Sequence, residues 1–125
     1  MNESGYITVI ARTAGGALPV ENAVVTVKDS SGNILYVTFT DGSGRTSPLA
    51  VPAPPKANSS TPNTGEPPFY TYNIDTDLLG YVSVRNLSVP VYPGITSIQP
   101  VELLPLAEGQ SDTPVTFNES GAPSL

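Results

Sequence analysis

Apolar and polar residues alternate along this chain in short runs, and clusters of turn-forming residues separate the runs. A period of two belongs to strands, whose successive side chains point to opposite faces of a sheet. Gly5-Tyr6-Ile7-Thr8-Val9-Ile10-Ala11-Arg12 is dense in β-branched and aromatic residues and predicts the first strand. Gly15-Gly16 opens a loop, and Leu18-Pro19-Val20-Glu21-Asn22 leads out of it. Ala23-Val24-Val25-Thr26-Val27-Lys28 predicts the second strand, with Ala23, Val25 and Val27 on one face and Thr26 and Lys28 on the other. The turn cluster Asp29-Ser30-Ser31-Gly32-Asn33 joins it to a third strand from Ile34 to Thr40, making a hairpin. Asp41-Gly42-Ser43-Gly44 is the next turn.

The pattern then breaks. Residues 45–68 hold seven prolines among Ser, Asn, Thr and Gly, and only a short strand around Ser47 to Val51 interrupts them. A loop of that length is unusual inside a compact domain. Strand signal returns at Phe69 to Asp75, with Tyr70, Tyr72 and Ile74 on one face. Leu78-Leu79-Gly80 turns the chain, Tyr81 to Val89 alternates as the next strand, Val91-Tyr92-Pro93-Gly94 bends it, and Thr96 to Leu104 closes the body. No helical period occurs. The expectation is an all-β, Greek-key, antiparallel sandwich of about seven strands, with a long proline-rich loop. Its body spans 1–106, and a linker with a strand-like tail spans 107–125.

Composition supports that class and narrows the chemistry. Fourteen prolines and eleven glycines disfavour long helices. Charged residues are only 13%, so the polar surface is mostly neutral and inexpensive to desolvate against another protein. The net charge is −6, and the five bases form no cluster, which makes nucleic acid and anionic membrane poor partners; no nucleic acid and no membrane span is expected. No run approaches the length of a membrane span, and Met1-Asn2-Glu3-Ser4 lacks the basic and apolar regions of a Sec-type leader.

The chain has no Cys and no His, so thiol chemistry and an imidazole base are both unavailable. Asp75 and Asp77 are the one paired-carboxylate option, and they read more simply as solvated acids near a strand end. Calcium requires six or more oxygens, and Asp41 serves its own turn amides better than a cation. Six tyrosines lie on or near strands and read as packing residues with hydroxyls in water. Asn2, Asn58, Asn86 and Asn118 begin Asn-x-Ser sequons, which matter only in a glycosylating host. The expectation is a protein with no catalytic, cofactor or metal residues.

Three segments carry a family resemblance. They are Gly5-Tyr6-Ile7-Thr8-Val9, the run from Leu18 to Val27 with its proline, alanine and alternating valines, and the Thr40-Asp41-Gly42-Ser43-Gly44-Arg45 turn. Together they resemble the carboxypeptidase regulatory-like family, a prealbumin-like sandwich related to Cna B-type repeats of surface proteins. Tyr70-Thr71-Tyr72-Asn73-Ile74, Gly80 to Asn86 and Tyr92 to Val101 look like a subgroup from spore-forming Firmicutes. The resemblance covers roughly residues 5–106 and implies spacers, stalks and interaction modules. It also raises a Lys–Asn isopeptide, which requires a buried lysine. Lys28 falls on the Thr26 face, away from the valines, and reads as solvated.

The tail lies outside that resemblance. Thr113, Val115, Thr116, Phe117 and Asn118 form a strand-like patch with Val115 and Phe117 on one face. Such a strand is donated to the next subunit, folded back on its own sheet, or left unordered. Asn118-Glu119-Ser120-Gly121 also repeats Asn2-Glu3-Ser4-Gly5. The reading adopted is donation: a structural subunit of an extracellular, cell-surface or spore filament or coat. Its partner is a further copy of itself, joined head-to-tail by strand addition. Cell-wall or spore-coat components are secondary partners. The rival is a peptidoglycan-associated accessory module of a larger hydrolase system.

Overall fold

The computed structural model describes residues 3–55 and 69–119. Nine strands appear, with no helix among the described residues: β1 (Glu3–Thr13), β2 (Leu18–Pro19), β3 (Val24–Asp29), β4 (Ile34–Phe39), β5 (Leu49–Ala53), β6 (Tyr70–Asp77), β7 (Val84–Val91), β8 (Thr96–Glu102) and β9 (Val115–Asn118). In one sheet, β2 and β5 share one edge of β1 while β8 takes the other. The second sheet has the order β4-β3-β6-β7-β9. The fold is an all-β sandwich.

The period-two signal becomes the core. Ile7, Val9 and Ala11 from β1 meet Val25, Val27 and Ile74 from the facing sheet, all fully buried. Leu49, Val51 and Ala53 add the inner face of β5. Two tyrosines tie the layers together. Tyr36 on β4 donates its hydroxyl to the Ala50 carbonyl, and Tyr72 on β6 donates to that of Pro52. These two hydroxyls therefore donate to backbone carbonyls of the facing sheet. Burial, with smaller contributions from Tyr70 and Asp29, pushes Tyr72 up to about 12.

Several features differ from the sequence expectation. Two of the nine strands are very short: β2 has two residues and β9 has four. Two pairings are parallel, β1 with β8 and β7 with β9, in an otherwise antiparallel structure. The first arises because the Tyr92–Gly94 bend carries the chain across to the other sheet. There Gly94 donates to the Ser4 carbonyl, so β8 starts at the same end as β1. The short strand expected at 47–51 lies at Leu49–Ala53, within the proline-rich stretch. The remainder of that loop, 56–68, lies outside the described residues. β7 begins at Val84, and its alternation changes phase. Val84 and Asn86 face inward, then Val89 and Val91 do, because Ser88 takes φ 59° opposite a register shift in β6. The Asn73 side chain accepts the Ser88 amide and holds that bulge.

The turn at Asp41–Gly44 illustrates how composition sets geometry. The Asp41 carboxylate accepts the amides of Ser43 and Arg45. Gly44 sits at φ 78°, and an added Cβ would collide with the Ala11 carbonyl. Only glycine permits that approach, which lets Ala11 donate to the Gly44 carbonyl at 2.7 Å.

Candidate functional site

The tail folds back in cis. Val84, Arg85, Asn86 and Leu87 of β7 pair with Val115, Thr116, Phe117 and Asn118 of β9 in parallel register. Of the five tail residues singled out in the sequence, four form the strand, and Thr113 precedes it. Within the single chain the segment is seated on its own sheet, where β9 is the outermost member.

Two clips hold the ends of β9. At the start, Asp112 accepts the Ser83 amide at 3.0 Å and the Ser83 hydroxyl at 2.8 Å. Those hydrogen bonds stabilise the carboxylate and lower its pKa below the ordinary 3.8. At the finish, the Glu119 amide donates to the Leu87 carbonyl, and its carboxylate accepts the Asn86 side-chain amide at 2.8 Å. Asn86 is buried beneath this end of the tail, so its sequon is inaccessible in the folded protein.

Between the clips, Val115 and Phe117 project toward the inner side of the sheet. They remain 37% and 51% exposed, because β9 is the outermost strand of its sheet among the described residues. With Val82, Val84, Leu104 and Glu102 they line an apolar groove of about 260 Å³ at the margin of the sandwich. Burying those two side chains this far contributes on the order of 1–3 kcal/mol. Ordering four backbone residues costs about 1–2 kcal/mol each. Hydrogen bonds and clips must supply the balance, so β9 is marginal in isolation and gains from further cover.

The other sequence candidates lie elsewhere. Lys28 pairs with Asp75 at 3.0 Å on the outer face of the β3-β6 pair, opposite the valines. Asp77 ends β6 exposed. Tyr92 packs its ring against Phe69, with centroids 5.4 Å apart. Sequence reasoning missed both clips, whose partners are 29 and 33 residues apart. It also missed a signal that was available: Val37-Thr38-Phe39 on β4 and Val115-Thr116-Phe117 on β9 are the same tripeptide. They occupy the two opposite edges of one sheet.

Fold and site together define an all-β sandwich whose distinctive surface is a sheet edge. No family model and no curated protein matches the chain. Among solved structures it is similar to the Bacillus anthracis TIE protein, at 14% identity and a TM-score of 0.55. The similarity covers 83% of this chain and 18% of that one, so the chain spans less than a fifth of that protein's length. At that identity the likeness concerns the fold. No helix among the described residues is long and apolar enough to cross a membrane.

Proposed function

We propose that this chain is a non-enzymatic structural subunit of a bacterial cell or spore surface, a prealbumin-like sandwich that associates with copies of itself through its C-terminal strand. One observation carries the reading: β9 is a strand edge with half-exposed apolar side chains over an open apolar groove. A further strand laid beside it satisfies backbone groups and covers Val115 and Phe117 in one step. Low charge density supports the same conclusion, since little ionic surface must be desolvated. The surface location rests on the family resemblance and on the Bacillus fold neighbour.

The purified chain is expected to give fibres or oligomers by electron microscopy and light scattering. A chain lacking residues 111–125 is expected to stay monomeric while keeping its β-rich circular dichroism. A full-length chain that is monomeric at every concentration tested would remove this reading. The rival, an accessory module of a larger cell-wall hydrolase, draws on the much greater length of the fold neighbour. It calls for a monomer that pellets with peptidoglycan.

A further inference from the structure

Self-association through β9 leaves open what receives it. We infer that the acceptor is the β4 edge of a second copy, so that the five-stranded sheet runs on through successive subunits. This rests on the assembly reading above and names its partner surface.

Four observations converge. First, among the described residues the two edges of this sheet lack the proline that marks both edges of the other, although β4 bulges at Leu35, between its paired residues Ile34 and Tyr36. β5 carries Pro52 and β8 carries Pro100, residues that cannot extend a ladder. Neither β4 (Ile-Leu-Tyr-Val-Thr-Phe) nor β9 (Val-Thr-Phe-Asn) contains a proline or a charge. Edges are ordinarily blunted by such residues. The two edges can meet without like-charge repulsion, although the chain carries a net charge of −6.

Second, β4 exposes apolar side chains well beyond a packed strand. Val37 and Phe39 are each 58% exposed.

Third, the directions agree. β4, β3, β6 and β7 alternate, and β9 runs parallel to β7. β9 therefore runs opposite to β4. Sliding one copy sideways along the sheet, without rotation, brings β9 antiparallel to the β4 of the next.

Fourth, the hydrogen-bonding phase agrees. The amides of Val115 and Glu119 are spent on β7, so Thr116 turns its amide and carbonyl outward. On β4 the amide of Thr40 is spent toward β3, so Phe39 and Val37 turn theirs outward. Antiparallel bonded pairs need two outward residues opposite one another, with side chains on the same face. Thr116 against Val37 meets that condition. Thr116 shares the outer face with Arg85, its partner on β7, and Val37 shares that face with Thr26, its partner on β3. It is also the in-phase register that keeps all four residues of β9 opposite β4, from Leu35 to Thr38. Phe117 then lies beside Tyr36, on the inner side, and the apolar groove closes.

The chain has no cysteine, so the register can be read by cross-linking. Within one subunit, residues 37 and 116 lie four strand spacings apart, about 19 Å, far beyond disulfide reach. A Val37→Cys/Thr116→Cys double variant, oxidised after assembly, is expected to give a ladder of covalent dimers, trimers and higher species on a non-reducing gel. Each single variant has no cysteine opposite its own in this register and is expected to run as the monomer. Mixed Val37→Pro and Thr116→Pro chains, each unable to extend alone, are expected to form capped heterodimers. Abundant cross-linked dimers from Val37→Cys alone would mean that β4 meets β4, and would overturn the inference. Assembly that persists in Val37→Pro, or that yields no ladder from the double variant, would overturn it while leaving assembly through β9 standing. Failure of the unmodified chain to assemble would overturn both.

Discussion

Thr40 does two jobs with one hydroxyl. It accepts the Ala23 amide at 3.0 Å and donates to the Val20 carbonyl at 2.6 Å, and the residue is 2% exposed. Thr40→Val keeps the shape and strands both backbone groups away from water. Each orphaned group costs about 1–3 kcal/mol. A loss of about 2–4 kcal/mol in urea unfolding is expected, with Thr40→Ser recovering most of it; a loss below about 0.5 kcal/mol would count against this account. Asp112 makes a different prediction. Its folded pKa is lowered, so its contribution is complete above the ordinary value of 3.8 and fades as pH falls through the lower folded value. Acid should loosen the start of β9 before the body unfolds. Amide chemical shifts of Val115 and Thr116 are expected to move below pH 4 in the parent chain. In Asp112→Asn they should sit near the loosened position at every pH. Shifts that track global unfolding alone would refute the clip.

At the scale of elements, local signals were legible and distant ones were not. β3 could be read with its faces because Ala23, Val25 and Val27 obey a rule that needs no partner. The β3-β4 hairpin was legible because its turn is sequential: Asp29 accepts the amides of Ser31 and Asn33. The phase change in β7 was not, because Ser88 adopts its backbone only in register with Asn73 on another strand. The tail was visible as a strand, but its seat depends on Asp112 finding Ser83 and Glu119 finding Asn86. Those pairs have no local signature. Strand propensity marks a segment as ready to pair and leaves its partner open.

At the scale of the molecule, the two sheets have different edges: proline closes one pair and leaves the other pair bare. Neighbouring strands lie about 4.8 Å apart, so five strands per subunit set an axial repeat of about 24 Å in a continuous ribbon. Image analysis of fibres is expected to show that repeat, modulated by the sheet's natural twist. A clearly different repeat would exclude side-by-side extension.

The parallel seat of β9 beside β7 also fixes where attached material must go. Val91, at the end of β7, abuts Gly5 near the start of β1, and β9 points toward that same pole. The described chain therefore enters at Glu3 near that pole, and it leaves β9 at Glu119 beside Leu87, midway along β7 and heading toward the same pole. In a row of such bodies related by sliding, every entry and exit falls along a single rim. The row would be a comb. Anything fused at either end becomes a tooth, spaced at the subunit interval, while the opposite rim stays bare. A gold-labelled tag at the C-terminus should follow a single rim of each fibre, winding with the twist of the sheet.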